Sequence, residues 1–177
     1  MLPTQKTWAP REKATSALLN QQVRDVQRWL ESPPDFEFSR SEAFTLVGGT
    51  TATLPWNGTL SSNGFNVAKD GAGKVTSVSP RYRGMYLIHA QVCGKVNAVL
   101  SHLYLELNVN GTARQVGAIS FESTAYMDSV LLTALIELEV GDTVSTRVYT
   151  SSGRTATLTS TAEQQVASTF FGYWIGA

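Results

Sequence analysis

Few residues of this chain have the types and spacing that catalysis requires. His89 and His102 are its only histidines, and Cys93 is its only cysteine. No serine lies in a Gly-x-Ser-x-Gly turn, and Gly71–Lys74 is too short for a phosphate-binding loop. No pair of carboxylates stands out as acid and base, and no cluster has zinc or calcium spacing. The sequence therefore predicts no catalytic residue, no metal and no cofactor.

Composition narrows the classes of partner. The 177-residue chain has 14 basic and 14 acidic residues, so its formal net charge is zero. Nucleic-acid binding needs a concentrated positive field, and this balance does not predict one. Charged residues make up 16% of the chain, whereas about a quarter is usual. So few charges favour a protein that buries much of its surface in an assembly.

The chain contains no segment that predicts export or membrane insertion. Its first residues lack the apolar core of a signal peptide, and no apolar run approaches about 18 residues. A single cysteine also excludes an intrachain disulfide, and Cys93 is expected to be a small buried side chain. We therefore expect folding in a cytoplasm and no membrane partner.

Aromatic side chains are the more useful signal for function. They are more numerous than one small core requires, and aromatic residues are enriched at the centre of protein interfaces. We predict that some of them form a subunit interface, although a core role for all of them stays open. The candidates for trimer interface or core are Tyr86, Tyr104, Phe170, Phe171, Tyr173 and Trp174.

Alternation of apolar and polar side chains dominates residues 44–177. Every second residue is apolar over 86–92 and 103–109, which is typical of strands with one buried face. Asn110-Gly111 supplies a tight hairpin turn after the second of these strands. Residues 129–138 are apolar enough for a helix, but we predict a strand because Val130, Leu132, Ala134, Ile136 and Leu138 alternate.

About nine or ten such short strands, separated by turn residues, predict a β-sandwich or jelly roll. The apolar segment 170–175 is expected to lie centrally, because an exposed edge strand of that composition would promote aggregation. We therefore predict that residues 44–177 form one all-β domain.

Residues 1–34 are predicted to be an N-terminal arm and helix that anchor the chain to a larger particle. Residues 1–12 form an extended arm with an isolated tryptophan, and residues 15–31 form a helix that Pro33-Pro34 ends. Residues 35–43 are predicted to be a solvated linker. The predicted anchoring residues are Trp8 in the arm and Leu19, Val23, Val26 and Leu30 in the helix.

The four helical residues of that set recur at spacings of four, three and four, which makes a narrow apolar seam. So short a helix is marginal alone in water. We therefore expect the seam to dock, and the pattern leaves three partners open: the β-domain of the same chain, other copies of the helix, or another protein.

Three segments of the β-domain carry a family resemblance. Gly84–Ile88 contains glycine-x-tyrosine, Leu138–Val144 contains leucine-x-x-glycine-aspartate-x-valine, and Phe170–Trp174 contains phenylalanine-x-glycine. In this order they resemble the trimeric jelly rolls of the complement-type globular head and tumour-necrosis-factor superfamily. The resemblance implies a homotrimer whose subunits meet along aromatic sheet faces. Some relatives bind calcium near the trimer apex, but we find no residues here for that role.

The N-terminal segment carries a second resemblance. Trp8, the run Leu19–Asp25 and Pro33-Pro34 resemble the opening of virion proteins of actinobacteria-infecting tailed phages, where a variable C-terminal module follows. The resemblance implies a bacteriophage protein that is assembled in the host cytoplasm and has other virion proteins, of capsid or tail, as partners.

Together these patterns predict a non-enzymatic virion structural protein that is anchored by its arm and helix and projects a trimeric jelly roll. Two placements stay open, as a capsid decoration protein or as a minor tail, receptor-binding protein. A receptor-binding protein is expected to carry an exposed aromatic or polar pocket on the outer loops near residues 57–73 and 150–165. The alternative function is a carbohydrate- or host-receptor-binding module, in which loops rich in Ser, Thr and Asn would bind a host surface glycan.

Overall fold

Helix α1 (Ser16–Glu31) precedes thirteen β-strands in the part of the chain that this computed structural model describes. That part comprises residue 13 and residues 15–99, 101–158 and 168–176, without some side chains of α1. The strands are β1 (Asp35–Arg40), β2 (Phe44–Val47), β3 (Thr51–Thr53), β4 (Gly58–Ser61), β5 (Phe65–Lys69), β6 (Val75–Pro80), β7 (Gly84–Val96), β8 (Ser101–Val109), β9 (Thr112–Phe121), β10 (Asp128–Leu138), β11 (Val144–Thr150), β12 (Thr155–Leu158) and β13 (Ser168–Gly176).

The strands form two antiparallel sheets. Sheet A has the order β2-β12-β7-β13-β1-β4, and β10 pairs with β7 along its other edge. Sheet B has the order β5-β6-β11-β8-β9, with β3 also paired to β11. The predicted all-β sandwich is therefore confirmed, and the space between the sheets holds the core.

The core is built by the alternation seen in the sequence. On β7, Tyr86, Ile88, Ala90 and Val92 are fully buried. On sheet B, every second residue of β8 from Leu103 to Val109 is buried as well. Since successive side chains of a strand point to opposite faces, the intervening residues of these strands lie on the outer faces of the two sheets.

The predicted linker over 35–43 is wrong, because its first part is strand β1. Phe36 and Phe38 are buried in the core, whereas Glu37 and Ser39 alternate with them. Asp35 and Glu37 are typical of a solvated linker, but they occupy outward positions of a strand that pairs with β13 and β4. The β-domain therefore begins at residue 35 and not at residue 44.

Two other predictions about strands are confirmed. Residues 129–138 lie in β10, which pairs with β7 over its whole length. The apolar strand β13 lies centrally, between β7 and β1. Gly172 of β13 must lack a side chain, because a Cβ atom there would lie 2.6 Å from Cε1 of Phe36.

The hairpin turn predicted after β8 is also confirmed. Asn110 and Gly111 have φ angles of 53° and 78°, and such positive values at both central residues are those of a type I′ turn. This turn joins β8 to β9, which is the last strand of sheet B in the described chain and packs against β10 of sheet A.

Candidate interaction surface

The outer face of sheet A places side chains from four neighbouring strands in rows. One row runs from Thr133 on β10 through His89 on β7 and Phe171 on β13 to Glu37 on β1. The next row contains Leu135, Leu87, Tyr173 and Asp35. Paired residues of antiparallel strands lie on the same face of a sheet. We call the surface formed by Leu87, His89, Leu131, Leu135, Phe171 and Tyr173 the sheet A face.

Large apolar side chains on this face are open to solvent. Leu131 and Leu135 of β10 are 57% and 56% exposed, and Tyr173 of β13 is 40% exposed. A single exposed apolar residue is ordinary, but a contiguous apolar surface on a sheet is typical of a binding site. The sheet A face can therefore bury apolar surface against a partner.

Aromatic rings stiffen the centre of the sheet A face. The rings of His89 and Phe171 are stacked with their centroids 4.8 Å apart, and Phe171 is stacked on Tyr173 at 6.3 Å. Nδ1 of His89 lies 2.8 Å from Oγ1 of Thr133, which fixes the imidazole from the other side. Rings held in this way lose little conformational entropy when a partner covers them.

Burial lowers the pKa of His89 below its ordinary value of 6.5. The carboxylates around this face do not offset the effect: Glu37 lies beyond Phe171 in the same row, and Glu137 of β10 pairs with Arg83 at 2.8 Å. In the unfolded chain the imidazole therefore takes up its proton at a higher pH than it does in the folded protein.

We expect the folded state to lose stability as the pH falls through 6.5 towards the lower pKa of His89. The unfolded state binds more protons across this interval, so stability rises with pH there. Urea denaturation of the wild type and of His89→Gln at several pH values checks this, with His102→Gln as the control. An identical pH dependence in the wild type and His89→Gln would contradict it.

The structure divides the predicted aromatic set between core and surface. Tyr86 and Phe170 are buried in the core, and Trp174 packs against the core while partly exposed. Phe171 and Tyr173 lie on the sheet A face. Tyr104 lies on the outer face of sheet B, since its neighbours along β8, Leu103 and Leu105, are buried.

Tyr86 is held firmly in the interior. Its hydroxyl donates a hydrogen bond to the backbone oxygen of Tyr82 at 2.8 Å, and burial raises the pKa of Tyr86 to about 12. Cys93 is also buried, as expected, and burial raises the pKa of its thiol. Neither group is placed to take part in an interaction at the surface.

Aromatic content alone does not predict the aliphatic residues of the sheet A face. Leu131 and Leu135 lie between the core-facing positions of β10, so both faces of this strand are apolar there. A strand with two apolar faces is typical of burial on both sides. The run of apolar residues over 129–138 was therefore a sequence signal for a covered outer face.

The described residues of the predicted anchoring seam are exposed. Val23, Val26 and Leu30 of α1 are 63%, 40% and 69% exposed. Trp8 lies outside the described residues, and so does the side chain of Leu19. In the described chain the seam of α1 therefore remains open to a partner.

Within the described residues, no three His, Cys, Asp or Glu side chains form a group that could hold a metal ion. No described helix is long and apolar enough to cross a membrane.

No protein-family model matches the sequence, and no curated protein matches it. Solved structures do match the fold. The Eiger TNF of S. frugiperda is 14% identical, with a TM-score of 0.57, over 82% of this chain and 94% of that one. The globular domain of zebrafish complement 1qA protein is 18% identical, with a TM-score of 0.53, over 80% and 97%. Murine APRIL is 11% identical, with a TM-score of 0.57, over 81% and 100%.

The fold is a TNF- and C1q-like jelly roll. At these sequence identities the similarity supports a common fold and nothing finer. This fold is the one that the three sequence segments implied. The glycine of the closing segment has a physical explanation, because a side chain at Gly172 would clash with the ring of Phe36.

Proposed function

We propose that this protein is a virion structural protein that forms a homotrimer through the sheet A face and is attached to the particle by residues 1–34. The observation that supports a trimer is the sheet A face, where the half-exposed side chains of Leu131 and Leu135 adjoin stacked aromatic rings. Burial of apolar area contributes about 25 cal/mol per Å². A closed symmetric assembly buries such a face on every subunit.

The junction between helix and sandwich supports an attachment role. Nδ2 of Asn63 donates to the backbone oxygens of Ser32 and Pro33 at 3.2 and 3.1 Å. The backbone N–H of Trp174 donates to the oxygen of Pro34 at 2.8 Å. These bonds fix Ser32, Pro33 and Pro34, which follow the end of α1, to the β-domain beside β13. A partner that binds the seam of α1 would therefore be joined to the β-domain through a short segment that the β-domain holds in place.

The virion is proposed from the N-terminal resemblance together with the low charge of the chain. Other virion proteins are the proposed partners of Trp8 and of the seam residues. Three linked anchors in a trimer raise the effective concentration of each, so that weak contacts sum to firm attachment.

Imaging of virions that lack the protein separates the two placements: lost surface knobs indicate a capsid decoration, and lost adsorption with intact heads indicates the tail.

We expect removal of residues 1–31 to leave a folded trimer that no longer joins particles. The truncated chain keeps β1 and also keeps Ser32–Pro34, which are bonded to Asn63 and Trp174. Sedimentation velocity measures the assembly, and co-purification with virions measures the attachment. A truncated chain that sediments as a monomer would contradict trimerisation by the β-domain.

A paired substitution in the full chain tests the seam without truncation. Val23→Asp places a carboxylate on the seam, whereas Arg24→Asp places one on the adjacent residue, off the seam. Incorporation into virions should be lost with the first and kept with the second. Equal incorporation of both would show that the seam is not the attachment surface.

A further inference from the structure

The outer face of sheet B, on the opposite side of the sandwich from the sheet A face, carries a row of aromatic rings. The rings of His102 and Tyr104 on β8 are stacked with centroids 6.1 Å apart. Tyr149 on β11 is the strand partner of Tyr104, and its ring lies 5.5 Å away. His102 is exposed and both tyrosines are partly exposed. We call these three residues the tyrosine platform.

Polar side chains border the tyrosine platform. Arg147 and Glu106 pair across β11 and β8 in the next row. Thr51 of β3 is the partner of Tyr149, and Ser120 of β9 is the partner of His102. No ion pair within the described chain engages Arg147. A guanidinium, a carboxylate and two hydroxyls therefore lie around the rings with capacity for hydrogen bonds.

The two outer faces of the sandwich differ in chemistry. The sheet A face joins its aromatic rings to exposed leucines, as expected for contact with a protein surface. The tyrosine platform instead adjoins one guanidinium, one carboxylate and two hydroxyls, and Val116 lies at its margin on β9. One positive and one negative group give no net charge for a phosphate ligand. The ligand that fits is neutral, with one apolar face and many hydroxyls.

We propose that the tyrosine platform is a binding site for a neutral carbohydrate. One face of a pyranose ring presents C–H groups, which pack on the electron-rich face of a tyrosine ring. The sugar hydroxyls at the rim of that ring can donate to Glu106 and accept from Arg147 in charge-assisted hydrogen bonds. Tyrosines supply this contact at low entropic cost, since they have only two side-chain torsions.

This site differs from the loops near residues 57–73 and 150–165, and it stands apart from the proposed trimer and particle attachment. A flat, open platform predicts weak binding by a single site, with a dissociation constant on the order of 1 mM. Three platforms in one assembly would raise the avidity by about 10²–10⁴-fold on a repetitive glycan. Binding is therefore best sought with a multivalent display.

The test presents the full-length protein to an array of neutral oligosaccharides, including chitohexaose, cellohexaose and a galactan hexasaccharide, and follows positives by calorimetry. We expect at least one to bind, and Tyr104→Ala or Tyr149→Ala to weaken it at least about tenfold. Tyr126→Ala is the matched control, since Tyr126 is 70% exposed in the connection between β9 and β10. Tyr104→Phe should retain most of the affinity because it keeps the ring.

Several outcomes would overturn the proposal. The first is that no oligosaccharide on the array binds, and the second is that Tyr104→Ala and Tyr149→Ala leave the affinity for a bound oligosaccharide unchanged. The third is that these two variants lose incorporation into virions but keep their affinity for the oligosaccharide. The last result would identify the face as a protein contact. Sedimentation of the same variants keeps this test separate from the proposed function, because a trimer should persist whether or not the glycan binds.

Discussion

Leu135→Glu should convert the proposed trimer into folded monomers. Leu135 lies in one row with Leu87 and Tyr173 on the sheet A face and is 56% exposed in the isolated chain. Losing the burial of one leucine costs about 1.5–3 kcal/mol, and an unpaired buried carboxylate costs several kcal/mol more. The dissociation constant of each subunit contact should therefore rise by at least about 100-fold.

Sedimentation velocity at several protein concentrations measures this effect, and circular dichroism verifies that the monomer is folded. Val140→Glu is the control, because Val140 is 66% exposed and follows β10 in the turn to β11, away from the rows of the sheet A face. It introduces the same charge but should leave the trimer intact. If Leu135→Glu still sediments as a trimer, the subunits meet elsewhere.

Trp56→Ala should bring the β-domain close to global unfolding. Trp56 is 1% exposed, and its ring stacks on Phe170 with the centroids 5.6 Å apart. Its Nε1–H donates to Oγ1 of Thr146 at 3.0 Å. Replacing such a side chain by alanine costs about 3–5 kcal/mol, out of a total stability of about 5–15 kcal/mol.

Urea denaturation at one fixed protein concentration measures the loss, since assembly makes apparent stability depend on concentration. Leu60→Ala is the control, because Leu60 is 65% exposed on β4 and its loss should change stability by about 0.5 kcal/mol or less. Thr146→Val separates the hydrogen bond from the packing and should cost about 1–3 kcal/mol. A loss below about 1 kcal/mol for Trp56→Ala would contradict its place in the core.

Alternation predicted most strands because burial of one sheet face dictates it. The period of two through Tyr86 to Val92 and through Leu103 to Val109 became the two facing layers of the core. The same alternation is present at Phe36 and Phe38, but the prolines and acidic residues beside them are also typical of a solvated linker. Strand β1 was missed for that reason, although its phenylalanines are among the most deeply buried residues.

The surfaces were harder to predict, since they depend on which strands are neighbours. Phe170 and Phe171 are adjacent in an apolar run, and only the pairing of β13 with β7 and β1 assigns the first to the core and the second to the sheet A face. Tyr104 and Tyr149 meet because β8 pairs with β11. Local pattern carries no information on such pairings between distant segments.

The position of β13 between β7 and β1 has a consequence for biosynthesis. Sheet A remains in two separate pieces until residues 168–176 have been made. At about 5–20 residues per second, β1 waits roughly 6 to 26 s for its neighbour. During this time the unpaired edges of β1 and β7 are available to other nascent chains. We therefore expect recombinant yield to depend on temperature and chaperone supply more than on the final stability of the fold.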